Sequence, residues 1–172
     1  MKNKLAIIIL PLFFIIIFLI FYLGLKNSNV YIPKKKTLRD IPNFSSKIFD
    51  TKIEISSKKI FQDNQFYLFN IWSSWCVPCR KEHSFLMYLK KQKNLEIIGL
   101  NYKDKNDNAK IFLNELGNPF ELIISDTDGT IAIDWGAYGV PESFLVHNKK
   151  ILKKIIGPMD EKTLTEIEEL IR

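Results

Sequence analysis

Two thiols stand two residues apart in Cys76-Val77-Pro78-Cys79, and the 172-residue chain contains no other cysteine. Such a pair supports three chemistries: a structural cross-link, part of a zinc site, or a reversible redox couple. As a cross-link it closes a very small loop, which stabilises by only about 2 kcal/mol in the chain-entropy model. A domain this rich in Ile, Leu and Phe has little need of it. A zinc clamp requires four ligands, or three and a water. The chain offers Cys76, Cys79, His83 one helical turn further on, and His147, with no second Cys-x-x-Cys. His147 falls at a predicted strand end and His83 reads as a helix-surface residue, so no metal site is expected.

The redox reading draws on what flanks the pair. Phe66 to Trp72, "FYLFNIW", is a short apolar and aromatic run of the kind that forms a buried strand. A helix follows, from Pro78 to about residue 93, with Phe85, Leu86 and Leu89 on one side. Cys76 then sits at a helix N-terminus, where free backbone N–H groups and the positive end of the dipole favour a thiolate. Pro78 falls in the first turn, where no backbone donor is missed. Cys79 lies one turn inward, placed to attack a mixed disulfide formed on Cys76. Cys76 is therefore read as the nucleophile and Cys79 as the resolving thiol. The pair itself serves as the redox group, with no metal and no further cofactor.

The elements that must hold this site are legible around it. Residues from Phe44, "FSSKIFDTKIEI", suggest a short strand or hairpin; Leu95 to Asn101 is a second buried strand; Asn106 to Leu116 is a helix ending at Gly117. Glu121 to Ser125 reads as a third strand, followed by a turn at "DTDG". Glu142–Val146 and Ile151–Ile156 flank "HNKK" as a hairpin, and Asp160 caps a last helix with Leu164, Ile167 and Ile171 on its buried side. Strand, helix, strand, helix, hairpin, helix predicts an α/β layer fold with a mixed sheet.

Residues 1–25 precede this domain. Leu5 to Leu25 carries no charge and one proline, Pro11; at helical rise it spans about 31 Å, enough for a bilayer core. A cleaved signal peptide would have a shorter apolar region and a small-residue cleavage site, which "GLKNSNV" does not offer. An uncleaved transmembrane anchor is expected, then a basic tether over 26–42, then the folded domain over 43–172. The net charge of +6 is concentrated at the front: Lys2, Lys4, Lys26, Lys34, Lys35, Lys36 and Arg39 all precede the first acid, Asp40. From Asp40 onward, 18 basic residues face 19 acidic ones. The excess suits lipid headgroups or a solvated tether, and not a nucleic-acid surface. Flanking charges on both sides of the apolar run leave its orientation to the redox argument.

Several ordered motifs carry a resemblance. "FNIWSSWCVPC" resembles the active-site segment of thioredoxin-like proteins. Together with "GLNYKD", "LGNPF" and "YGVPESFLV", it is similar to the CcmG/DsbE family, the membrane-anchored thiol:disulfide interchange proteins of cytochrome c maturation. The resemblance runs from about Ile41 to Met159. It implies a thioredoxin-like fold behind an inner-membrane anchor, with the domain in the periplasm of a bacterium. It also implies a protein-disulfide reductase acting on apocytochrome c or a CcmH-type haem-ligation partner, and re-reduced by a DsbD/CcdA-type membrane protein. It makes Pro141 a cis-proline beside the cysteines, Val140 the residue whose backbone pairs with an incoming peptide, and Trp75 a rim contact for the partner. Glu82 and Glu142 match acidic residues near the family's thiols and become candidate proton shuttles, although Glu82 by itself also reads as a solvated helix residue. Asn70 stands where generic thioredoxins carry a buried aspartate. An amide cannot take a proton as that acid does, so a glutamate is expected to substitute. "PES" replaces the commoner "PET" and keeps the hydroxyl. Two rivals remain: a generic membrane-tethered thioredoxin-like reductase of other envelope proteins, and a non-catalytic module that docks partners through the Trp75 and Val140 groove.

Overall fold

The structure, a computed structural model, describes residues 2–26 and 39–172. The chain divides into two compact units, Met1–Lys36 and Thr37–Arg172. Most of the expected tether, residues 27–38, lies outside the described residues.

Among its described residues, the first unit contains one helix, α1 (Lys2–Lys26), with Pro11 inside it. Its described side chains, residues 9–24, are apolar around the whole circumference apart from the Tyr22 hydroxyl; that portion spans about 24 Å at helical rise. Among the described residues, no helix is long and apolar enough to cross a membrane.

The second unit runs β1 (Arg39–Asp40), β2 (Ser45–Ile48), β3 (Glu54–Ser56), α2 (Ser57–Ile60), β4 (Phe66–Trp72), α3 (Val77–Leu89), β5 (Leu95–Tyr102), α4 (Asn106–Leu116), β6 (Leu122–Asp126), α5 (Thr130–Asp134), β7 (Glu142–His147), β8 (Lys150–Ile156) and α6 (Glu161–Leu170). The strands form one mixed sheet in the order β1-β8-β7-β4-β5-β6-β2-β3. β4 lies at its centre, parallel to β5 and antiparallel to β7. A strand covered on both faces must be apolar on both, which explains why "FYLFNIW" is a continuous apolar run and not an alternating one. Leu68 and Trp72 face the layer of α3, α4 and α6. Tyr67, Phe69 and Ile71 face α2 and α5. Asn70 shares the first of these faces by the two-residue period of a strand. It is fully buried and lies level with Gly99 on β5 and Ser143 on β7.

The structure differs from the sequence reading in a few places. α3 stops at Leu89, not near residue 93. Lys90, Lys91, Gln92 and Lys93 offer nothing apolar to hold another turn against the sheet, and tight turns close there, with Lys91 N–H donating to Tyr88 O and Gln92 N–H to Leu89 O. α2 and α5 were not anticipated, since four and five residues are too few for a helical period to register. α5 grows from the "DTDG" turn because buried Asp126 accepts from the N–H groups of Ile131 (3.2 Å) and Ala132 (2.9 Å), satisfying its leading donors. β1 forms within the stretch read as tether: Arg39 and Asp40 pair with β8, and the Arg39 guanidinium donates to the Trp135 carbonyl at 2.6 Å.

Candidate active site

The site is assembled at the C-terminal end of β4. The chain leaves the sheet at Trp72, turns through Ser73, Ser74 and Trp75, and enters α3. Cys76 is the cap residue of that helix: its Sγ accepts from the Cys79 N–H at 3.1 Å, and its carbonyl accepts from Arg80 N–H. Pro78 occupies the first turn, where its missing N–H leaves nothing unsatisfied. Cys76 and Cys79 are joined as a disulfide, S–S 2.04 Å, and both residues are almost wholly buried, at 3% and 2% exposure. Around them Trp75, Val77 and Tyr138 are exposed.

The turn before Cys76 is held by one side chain to which the sequence reading gave no chemistry. Asp104 accepts from Ser74 N–H (2.6 Å), Ser74 Oγ (2.7 Å), Asn101 Nδ2 (3.0 Å) and Lys105 N–H (2.8 Å). Ser73 Oγ donates to the Tyr102 carbonyl at 2.8 Å, and Trp75 Nε1 to the Lys103 carbonyl at 3.1 Å. The "NYKD" segment thus fastens the strand-to-helix turn to the end of β5. In sequence this residue showed only as the last letter of the "GLNYKD" motif, an acid just past the end of a strand that runs beside β4.

Below the disulfide, α3 turns a polar stripe inward. Glu82, one turn beyond Cys79, is 1% exposed and is no solvated helix residue. Its Oε1 accepts from Asn70 Nδ2 at 2.8 Å and its Oε2 from Met159 N–H at 3.0 Å. Asn70 Nδ2 also donates to Ser143 Oγ at 2.9 Å, while its Oδ1 has no partner among the described residues. Burial pushes the Glu82 carboxyl up to about 7, against the pull of its two N–H donors, which favour the anion. The acid at the heart of this site is therefore carried by the helix and not by the central strand, with the strand amide bonded to it.

His83, expected on the helix surface, is buried instead. Its Nε2 meets the Gly117 carbonyl at 2.9 Å and its ring stands edge-on to Phe112. Burial lowers its pKa. Among the described residues, no three His, Cys, Asp or Glu side chains gather as a metal-binding group. His147, at the end of β7, stacks on Phe66 with ring centroids 4.1 Å apart.

The loop from α5 into β7 forms the other wall. The Val140–Pro141 bond is cis; Pro141 is buried, and Val140 packs against the cluster that contains both cysteines. Glu142 is buried at 2% exposure and turns back toward its own loop. Its Oε1 accepts from Tyr138 N–H (2.7 Å) and Gly139 N–H (3.2 Å), and its Oε2 pairs with Lys154 Nζ at 2.9 Å. Lys154, on β8, was not singled out by the sequence.

A disulfide between two cysteines one turn apart at a helix N-terminus, with a buried carboxyl one turn further along that helix, is equipped for thiol–disulfide exchange. The comparisons agree. Residues 36–171 match the Redoxin family model. The thiol:disulfide interchange protein DsbE of Pseudomonas aeruginosa is 37% identical over 166 residues, covering 95% of this chain and 91% of that protein. The thiol:disulfide interchange protein CycY of Rhizobium leguminosarum bv. viciae is 51% identical over 100 residues, covering 58% of this chain and 54% of that protein. A crystal structure of a thiol:disulfide interchange protein of the thioredoxin family from Chlorobium tepidum superposes with a TM-score of 0.63 at 21% identity, over 78% of this chain and 96% of that one, and so supports the thioredoxin-like fold. The chain belongs to the DsbE family of thiol:disulfide interchange proteins, and its chemistry is that of a thiol:disulfide oxidoreductase.

Proposed function

We propose that the protein is a membrane-anchored, periplasm-facing reductase that keeps cysteines ready for haem attachment in cytochrome c maturation. Its substrate is apocytochrome c or a CcmH-type haem-ligation partner. In the dithiol form the Cys76 thiolate attacks one sulfur of the partner's disulfide. A mixed disulfide forms and a partner thiolate leaves. Cys79 then gives its proton to Glu82 and attacks the Cys76 sulfur, which closes the Cys76–Cys79 bond and frees the second partner thiolate. The partner is reduced by two electrons and this protein is oxidised by two. A DsbD/CcdA-type membrane dithiol resets the pair, a step needed continuously in an oxidising compartment.

The observation that carries the reading is the capping bond from Cys79 N–H to Cys76 Sγ: the same donor and helix dipole that cap the helix stabilise a thiolate at Cys76. Glu82, buried one turn from Cys79 and held by Asn70, serves as the proton acceptor. Glu142, occupied by Tyr138, Gly139 and Lys154, shapes the loop that presents Val140, Pro141 and the neighbouring Trp75 rim to the partner chain. The uncharged run from Leu5 to Leu25 is long enough for a bilayer core and supports the anchor.

Trapping tests the proposal. Cys79→Ala should accumulate mixed disulfides through Cys76, and the captured chain should be an apocytochrome c or its haem-ligation partner. Capture of unrelated envelope proteins would favour a generic tethered reductase. Equal capture by a Cys76→Ser, Cys79→Ala double variant would remove the reaction altogether.

A further inference from the structure

The ammonium of Lys154 is spent on a single loop. Its Nζ donates to the Gly136 carbonyl at 2.7 Å, pairs with Glu142 Oε2 at 2.9 Å, and stands over the Tyr138 ring 3.9 Å from its centroid. Its charge is met in three different ways: a hydrogen bond to a carbonyl, an ion pair with a carboxylate and a π face. The side chain is only 26% exposed. Glu142, the first residue of β7, completes the arrangement by accepting the N–H groups of Tyr138 and Gly139. Tyr138 rests one face on the cation yet remains 69% exposed, two residues before Val140. A large aromatic held this way turns its free face outward at little entropic cost, as a docking contact requires.

We infer that Lys154 is a positioning residue for substrate docking: by tying Gly136, Glu142 and the Tyr138 ring together it presets the Tyr138–Pro141 loop as a rigid platform for a polypeptide disulfide. This rests on the reductase reading above and extends it to a residue outside the loop. The platform matters for a substrate that lays its backbone along Val140, and is irrelevant to a small disulfide that touches only the sulfurs.

The experiment compares two substrates and two kinds of variant. Lys154→Met keeps the length of the side chain and removes its charge. It should raise KM for a cysteine-containing disulfide peptide about tenfold, with kcat within about twofold, and leave the rate with oxidised glutathione unchanged. Lys154→Arg should restore most of the loss. Because Lys154→Met leaves the buried Glu142 carboxylate unpaired and could cost folding, the pair Lys154→Met with Glu142→Gln is made alongside. The glutamine oxygen still accepts the Tyr138 and Gly139 N–H groups, so KM should stay high in a well-folded protein. An unchanged KM in both variants, or equal losses with peptide and glutathione, overturns the inference. A second readout is independent of turnover: the ε-methylene protons of Lys154 should resonate upfield of ordinary lysines in the wild type and return to that range in Tyr138→Leu. Their absence from the upfield region overturns the placement. If the wild type reduces no peptide while this signature is present, the reductase reading falls and the loop architecture stands.

Discussion

Glu82 is a carboxyl set where two influences oppose each other. Burial disfavours its anion, while Asn70 Nδ2 and Met159 N–H favour it, and burial wins, raising the group from 4.5 to about 7. The consequence for stability has a definite sign. Between these values the unfolded chain ionises Glu82 while the folded one keeps it protonated. Stability is therefore fully present below 4.5 and declines as pH rises to about 7, by roughly 3 kcal/mol at 1.36 kcal/mol per unit. Denaturant unfolding of the oxidised protein across this range should show that decline, and Glu82→Gln should flatten it. The same variant should slow release of a trapped mixed disulfide about 100-fold, as expected for loss of a general base, without slowing the initial attack by Cys76; stopped-flow fluorescence of Trp75 would follow both phases. The sequence held a clue to this residue's burial. Cys79, Glu82, His83, Leu86 and Leu89 follow helical spacing along one stripe, and all five are buried. Reading only apolar residues as core put Phe85 in that stripe and left Glu82 and His83 outside, because a polar side chain declares its burial only through partners that lie 12 and 34 residues away.

At the scale of elements, β4, α4 and the β7–β8 hairpin were legible because each has a period or a composition that only one structure satisfies. The short helices were not, and neither was β1, whose two residues are recruited by β8 across the fold. One packing detail follows from β5. At Gly99 a Cβ would come within 2.8 Å of both Phe120 Cδ1 and Trp72 Nε1. These two rings stack, with centroids 5.2 Å apart, over the bare backbone. Trp72 also leads into the turn at Cys76. Gly99→Ala should therefore overpack this layer and cost about 1–3 kcal/mol, seen as a lower denaturation midpoint with an unchanged slope. The cis-proline, in contrast, was legible only through family resemblance, since a lone proline before a strand is ordinarily a turn residue.

At the scale of the molecule, the unit Thr37–Arg172 contains the sheet, both hydrophobic layers and every residue assigned to the site, and the Redoxin match spans nearly the same residues. A chain lacking residues 1–36 should reduce a soluble disulfide peptide at a rate within about twofold of the full protein while no longer sedimenting with membranes; a peptide-reduction assay and a fractionation blot check the two halves. Charge follows the same division, with the basic excess ahead of Asp40 and a near-neutral domain behind it. The two borders of the sheet, β1 and β3, are two and three residues long. A neighbouring copy meeting such a border would find a couple of ladder bonds at most, too few to continue its own strands into a shared ribbon. Many copies can therefore crowd together without polymerising through their backbones.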